Sequence, residues 1–247
     1  MKKKKPNYKN IIVILFSLIC IIGIVYSSYN ILRWYKDTNT NKNIKEKIDK
    51  NIKKDKDKFK IDFKKIKEQN SDTIAYLNVP NTNIDYVVVK GKDNSYYLNH
   101  NFNKESNVAG WVFADFHNKL DETDKNIVIY GHNTKDGSMF ETLINVLNKD
   151  WYENKKNHKI TLVTEKGIYK YQVFSTYDIV AEDYYINTEF KDDDEFNKFI
   201  SVIKSRSNYD YKVDVNKNDK LLTLSSCIGD GKKRVVLHSK LISKEGE

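Results

Sequence analysis

The chain has little of what marks several protein classes. Two cysteines in 247 residues exclude a disulfide scaffold and a Cys-rich zinc module. Two prolines and nine glycines exclude a collagenous or Pro-rich disordered chain. No repeat with a period of roughly 20–50 residues runs through it, which argues against a solenoid or propeller. Arginine is nearly missing: among 43 basic residues only Arg33, Arg206 and Arg234 are arginines. An arginine kept in so Lys-rich a chain is a candidate for planar, forked recognition that lysine does not supply. What remains, 39% apolar and 31% charged residues, suits one ordinary domain with additions, a packed core under a heavily charged surface.

The net charge of +9 invites a nucleic-acid reading, and its distribution opposes it. Residues 1–60 carry 16 Lys and Arg against 5 Asp and Glu, whereas residues 61–247 carry 27 against 29. A nucleic-acid-binding fold needs its basic face on the folded part, so no nucleic-acid partner is expected.

From Ile11 to Leu32 there are 22 residues without a charge. As a helix this run spans roughly 33 Å, the thickness of a bilayer core. Lys2–Lys5 and Lys9 precede it, and Trp34 and Tyr35 follow as interfacial aromatics. The positive-inside rule places the N-terminus in the cytoplasm and the rest outside. A cleaved signal peptide is the competing reading, but its apolar region would be about 7–15 residues ending in a small-x-small site, which Ser27-Ser28 matches poorly. We therefore expect a basic cytoplasmic tail at 1–10, an uncleaved transmembrane signal anchor at 11–32, a helical stalk and docking helix at 33–70, and an extracellular domain at 71–247. Cys20 and Gly23 read as lipid-facing or packing residues.

Residues 36–70 place Ile44, Ile48, Ile52, Phe59, Phe63 and Ile66 at helical spacings on a polar background. This predicts a stalk to about residue 55 and a docking helix after it. From Ile74 the pattern changes to short apolar, β-branched and aromatic runs, at 74–79, 84–89, 109–113, 126–130, 160–163, 169–180, 221–225 and 234–242. Eight short strands predict an antiparallel barrel or sandwich, a mainly β fold. Two helical interruptions are expected, at 139–147 and at 192–203. The second opens with an acidic first turn, suited to a helix N-terminus.

Three residues stand at strand ends, where catalytic groups gather. His132 follows the apolar run 127–131, Cys227 closes LLTLSSC, and Arg234 opens RVVLHSKLI. Taken singly, a histidine there is more often structural and a free cysteine more often a small buried hydrophobe. Together they supply a nucleophile, a proton carrier and a fixed cation. A thiol attacks as thiolate, which nearby positive charge favours, and a thioester divides one hard amide exchange into two easier steps. A histidine can protonate the departing amine and deprotonate the incoming one. An arginine fork can hold a carbonyl or a developing oxyanion.

TLSSC at 223–227 followed by Arg234, YGHN at 130–133 and DGSMF at 136–140, with NTNIDYVVV at 81–89 and KDNSYYLNHNF at 92–102, resemble the sortases, and within them class B. The likeness covers about residues 70–242. It implies an eight-stranded sortase-type β-barrel with an N-terminal helical segment and a helix between strands six and seven. It also implies a membrane-anchored cysteine transpeptidase on the outer face of a Gram-positive cell. Such enzymes cut an N-P-x-T-x-like C-terminal sorting signal after its Thr, hold the surface protein as a thioester, and pass it to an amine of peptidoglycan or its precursor. Carried over, Cys227 is the nucleophile, His132 the acid/base and Arg234 the substrate or oxyanion clamp. Ser225 is a substrate-binding position; its plainer account is a strand-end hydroxyl bonded to backbone. No cofactor is implied.

Rival readings are a tethered cysteine peptidase that only hydrolyses, and a tethered binding domain with Cys227 inert. A papain-like enzyme would place Cys before His, and an L,D-transpeptidase would place Arg two residues after its Cys. Neither order occurs here. His100, His117, His158 and His238 have no metal-ligand spacing, and His238, on the last strand, reads as structural. Asp85 and Asp115 could pair with a base, but solvation is the expectation for both. Asp192–Glu195 reads as a helix start rather than a calcium cradle.

Overall fold

The computed structural model describes residues 8–55, 58–121, 123–228 and 231–246, with the side chains of Tyr8, Lys58, Cys227 and Ile228 outside the described part. The first element, α1 (Tyr8–Asp49), is one unbroken helix of 42 residues. No proline interrupts it. Its apolar half has a window of mean hydropathy 2.7 that is 0% buried, long and apolar enough to cross a membrane. Its second half is no free stalk. Asp37, Thr38, Asn41, Ile44 and Ile48 are buried, at three- and four-residue spacings on one face. Asn41 Nδ2 donates to the Gly110 carbonyl at 3.0 Å, while Asn107 Nδ2 donates to Asn41 Oδ1 at 3.1 Å and to the Asp37 carbonyl at 2.9 Å. The docking face thus begins near residue 37 rather than 55. Half of it is polar, which apolar periodicity does not register.

In place of one docking helix, a hairpin of β1 (Ile52–Asp55) and β2 (Lys58–Ile61) leads to a short α2 (Phe63–Gln69). Ile52 is registered against Ile61, and Phe63 and Ile66 are buried. Asp62 caps α2 by accepting from the Lys65 N–H at 3.1 Å.

Seven of the eight expected strands are present as read, and the third, expected at 109–113, is confined to Phe113–Ala114. β3 (Thr73–Asn78), β4 (Asp85–Val89), β5 (Phe113–Ala114), β6 (Asn126–Gly131), β7 (Lys159–Thr164), β8 (Gly167–Val180), β9 (Leu221–Ile228) and β10 (Lys233–Glu245) close into a barrel. Its order is β10-β8-β7-β3-β4-β5-β6-β9, returning to β10. The barrel is mixed rather than antiparallel, because β4–β5 and β6–β9 pair in parallel. Parallel neighbours need long crossovers. Here these are residues 90–112 and residues 132–220.

The segment expected to be helical at 139–147 is a 3-10 turn, Glu141–Leu147, followed by the short α3 (Lys149–Glu153). The helix expected at 192–203 is α4 (Asp193–Ser205), capped by Asp192, which accepts from the Glu195 N–H at 2.9 Å. Phe196, Phe199, Ile200 and Ile203 of α4 bury one face against Phe174, Tyr177 and Val236 on the outside of the barrel. Each such side chain contributes ~1.5–3 kcal/mol on burial. The barrel interior forms a separate, larger core around Tyr76, Leu77, Val87, Ile129, Leu224 and Leu237.

Candidate active site

β6, β9 and β10 are neighbours in the barrel, and each presents one candidate at the same end. The parallel β6–β9 ladder ends at Tyr130↔Ser225 and Gly131↔Ser226. His132 and Cys227 each follow by one residue. In the antiparallel β9–β10 ladder Arg234 is the residue registered against Cys227, and Lys233 is registered against Ile228. The seven-residue spacing is therefore the one that the β9–β10 register accommodates. The sequence reading of Cys227 concerns a side chain outside the described residues; its backbone lies within β9.

His132 is half-buried, with Nε2 2.8 Å from the Leu98 carbonyl. A carbonyl only accepts, so Nε2 carries a proton, and Nδ1 is the nitrogen left to exchange one with substrate. Two glycines make room for this. Gly110 has φ +58°, and a Cβ there would meet the Tyr97 carbonyl at 2.4 Å, that of Leu98 at 2.8 Å and His132 Cδ2 at 2.9 Å. At Gly131 a Cβ would meet the Phe140 ring at 2.4 Å. Arg234 donates from Nη1 to the carbonyls of Gly231 and Lys233, so the guanidinium folds over its own turn. Lys233 pairs instead with Asp178 at 3.1 Å, and Lys232 is exposed.

His132 and Arg234 line one groove of about 370 Å³, with Leu98, Tyr130, Tyr185 and Ser225. Ser225 is buried and its Oγ lies 2.9 Å from the Tyr185 hydroxyl, a side-chain partner that neither of its sequence readings contained. Asp115, expected to be solvated, is buried at 3% exposure. It accepts from Asn94 Nδ2 at 2.7 Å, from the Tyr130 hydroxyl at 2.8 Å and from His117 Nδ1 at 2.8 Å, so it orders the groove floor rather than His132. Burial and this carboxylate hold the Tyr130 phenol above its ordinary pKa. Asp85 is half-buried and accepts from the Tyr76 hydroxyl and Lys54.

The groove wall opposite is the β8–α4 connection, whose 3-10 turn Tyr184–Ile186 carries Tyr185. It is pinned at both ends by residues the sequence reading did not join. Arg206, at the C-cap of α4, donates to Glu182 at 2.5 Å, with its guanidinium 5.5 Å from the Tyr184 ring. Behind it runs a buried chain. Thr223 Oγ1 donates to Asn126 Oδ1 at 2.7 Å, so His238 Nδ1–H must donate to Thr223 at 2.8 Å. His238 Nε2 then accepts from the Tyr177 hydroxyl at 2.9 Å. Asn126 Nδ2 closes the chain on the Asn187 carbonyl at 2.9 Å. Burial, aided by the Arg206 charge, lowers His238 to about 3, which keeps it neutral and structural. The rarity of Arg206 was the one available signal for this wall.

Among the described residues no cluster of three His, Cys, Asp or Glu side chains is placed to hold a metal ion.

Comparison with known proteins agrees with this geometry. The family model for the sortase domain matches residues 77–242. Sortase B of Listeria monocytogenes is 36% identical over 188 residues, covering 74% of this chain and 75% of that protein. Sortase B of Staphylococcus aureus is 31% identical over 233 residues, covering 91% of this chain and 94% of that protein. The crystal structure of Clostridium perfringens sortase B superposes with a TM-score of 0.69 at 36% identity, covering 73% of this chain and 100% of that one. Barrel, helix insertion and sequence thus agree: the chain belongs to the sortase family, in its class B, and is a cysteine transpeptidase of cell-wall protein anchoring.

Proposed function

We propose that this enzyme cleaves an N-P-x-T-x-like sorting signal after its Thr and transfers the surface protein to a peptidoglycan amine. Cys227 is the nucleophile, His132 the proton carrier, Arg234 the clamp and Ser225 part of the substrate wall. The observation that carries this is the convergence of three strand ends: Arg234 registered against Cys227, and His132 one residue past the β6–β9 ladder.

In the first step the Cys227 thiolate attacks the Thr carbonyl carbon. The carbonyl oxygen takes up negative charge and the guanidinium holds it. Among the described residues only Nη1 of Arg234 is engaged, in bonds to Gly231 and Lys233, which leaves Nη2 and Nε for the substrate. Imidazolium at His132 gives its proton to the departing amine as the C–N bond breaks, and the thioester remains. In the second step an incoming neutral amine attacks the thioester, His132 takes the proton, and the thiolate leaves. Residues 11–32 anchor the enzyme, with the basic tail inside and the barrel outside. The charge-free apolar helix after a lysine cluster supports that orientation.

The test is a panel of fluorogenic N-P-x-T-x and L-P-x-T-x peptides, each with and without triglycine. Cleavage of the first set after Thr, with triglycine appearing in the product, is expected. Cleavage confined to the second set, or products that never contain the amine, would reject the substrate assignment.

A further inference from the structure

The barrel has a second mouth, at the end away from His132 and Cys227. In the β8–β10 ladder Arg234 is registered against Ile179 at the active-site end and Lys244 against Tyr169 at the other. There the starts of β6, β8 and β9 and the ends of β7 and β10 surround a pocket of about 310 Å³. Ile127, Leu162, Tyr169, Tyr171 and Leu241 wall it, and Leu120 closes one side. That rim is held in place. Leu120 sits at φ +55°, which a bulky side chain adopts only when its surroundings impose it. The Asp124 carboxylate does so, accepting from the Leu120 N–H at 2.6 Å, from the Lys119 N–H at 3.0 Å and from Asn118 Nδ2 at 3.3 Å.

Tyr171 gives this mouth its chemistry. It is 2% exposed and registered against Ile160 on β7 and Leu241 on β10. Among the described residues its hydroxyl has no hydrogen-bond partner, although every polar side-chain atom sealed from solvent has one. The hydroxyl therefore opens onto the pocket that the residue lines. A phenol buried without a partner carries a desolvation cost that a bound acceptor removes. Burial, with Tyr169 and Asp124 nearby, holds this phenol above its ordinary pKa, so it keeps its proton to share in a hydrogen bond. The charges lining the pocket balance, Asp121 and Asp124 against Lys220 and Lys244. An ion of either sign would meet a like charge as well as an opposite one, so the lining favours an uncharged ligand.

We infer that this mouth of the barrel is a binding site for a small uncharged molecule with an apolar body and a carbonyl oxygen. The carbonyl accepts from the Tyr171 hydroxyl, and the body lies against Leu162, Tyr169 and Leu241. The volume is at the lower end of the ~300–1,000 Å³ of ligand pockets, and barrel mouths are among the places where such pockets occur. Among the described residues none lines both this pocket and the groove of His132 and Arg234, so the site stands apart from the transpeptidase chemistry.

The probe is N-benzylacetamide, titrated by calorimetry into the full-length enzyme in detergent, with the heat of titration into detergent alone subtracted. Phenylacetate and benzylammonium, which share its ring, are the charged comparisons. One molecule of N-benzylacetamide should bind per chain. Phenylacetate should bind more weakly, and benzylammonium, which has no acceptor, should give no saturable heat. Tyr171→Phe keeps the ring and removes only the hydroxyl. It should bind N-benzylacetamide ~2–10-fold more weakly, the worth of one hydrogen bond. Without the probe it should melt at or above the parent, since no bond is lost, and cleave the N-P-x-T-x peptide at the parent rate. Equal affinity in Tyr171→Phe and the parent would overturn the inference, as would benzylammonium binding as tightly as N-benzylacetamide. Absence of saturable heat in the parent, meaning a mouth that holds water only, would overturn it as well. So would a Tyr171→Phe chain that melts well below the parent, because the hydroxyl would then have a structural partner.

Discussion

Replacing Thr223 with valine keeps the side chain's shape and removes one hydroxyl from the buried chain behind the groove. That hydroxyl donates to Asn126 at 2.7 Å and receives the His238 Nδ1 proton at 2.8 Å. Thr223, Asn126 and His238 are all fully buried, so water cannot replace either bond. One donor and one acceptor are left unpaired, each at ~1–3 kcal/mol, for a loss of ~2–6 kcal/mol. In a domain of this size that lowers Tm by about 4–24 °C. Asn126 also loses the bond that orients its amide, which weakens the Nδ2 bond to the Asn187 carbonyl beside the turn carrying Tyr185. The KM for the sorting peptide should therefore rise while kcat changes little, because the β6–β9 and β9–β10 ladders are untouched. Thr223→Ser should retain most of both. His238 adds a pH arm. Its folded value of about 3 lies below the ordinary 6.5, so between those values the unfolded chain binds a proton that the folded one refuses. Its contribution is full above pH 6.5 and is lost as the pH falls, by up to ~1.4 kcal/mol per unit. Thermal melts from pH 7 to 4 should show this slope, and His238→Gln should lack it. A loss below ~0.5 kcal/mol in Thr223→Val, as at an ordinary surface site, or a fall in kcat at unchanged KM, would refute the reasoning.

Three other outcomes follow from the geometry. Arg234→Lys should lose ~100-fold or more in peptide cleavage with the fold intact, since a point charge does not replace the fork, whereas Lys233→Ala removes only the surface pair with Asp178 and should stay within a few-fold of the parent in the same assay. Gly110→Ala should lower both Tm and turnover, because at φ +58° the added Cβ meets two backbone carbonyls at 2.4 and 2.8 Å and His132 Cδ2 at 2.9 Å; melting or turnover equal to the parent would contradict it. A chain beginning at Trp34 should be soluble without detergent and cleave peptide normally. One beginning at Ile52 loses the burial of Ile44 and Ile48 and the amide bonds of Asn41 to Asn107 and Gly110, and should melt earlier.

The strands were legible because each is a short run of period-two or continuous apolar residues, and α4 because Asp192 and the stripe Phe196, Phe199, Ile200, Ile203 signal both its start and its face. The parallel pairings were not, since a strand's own pattern does not state its neighbour's direction. The hairpin at 52–61 reads as helix because Ile52 and Phe59 lie seven apart, while the register pairs Ile52 with Ile61. The docked half of α1 hid behind Asp37, Thr38 and Asn41, polar residues buried by reciprocal amide bonds. At the site, His132, Cys227 and Arg234 were legible as strand ends. Tyr185, Arg206 and the Thr223–His238 chain were not, because their partners are brought together only by the fold, and Asp115 was misjudged because Asn94 and Tyr130 reach it from two other segments.

The most direct measurement is the intact mass of the enzyme after brief incubation with an N-P-x-T-x peptide and no amine. An adduct equal to the acyl fragment is expected on Cys227, released by triglycine and absent in Cys227→Ala, with His132→Ala forming little of it. An adduct mapped to a serine or lysine, or cleavage that persists in Cys227→Ala, would contradict the account.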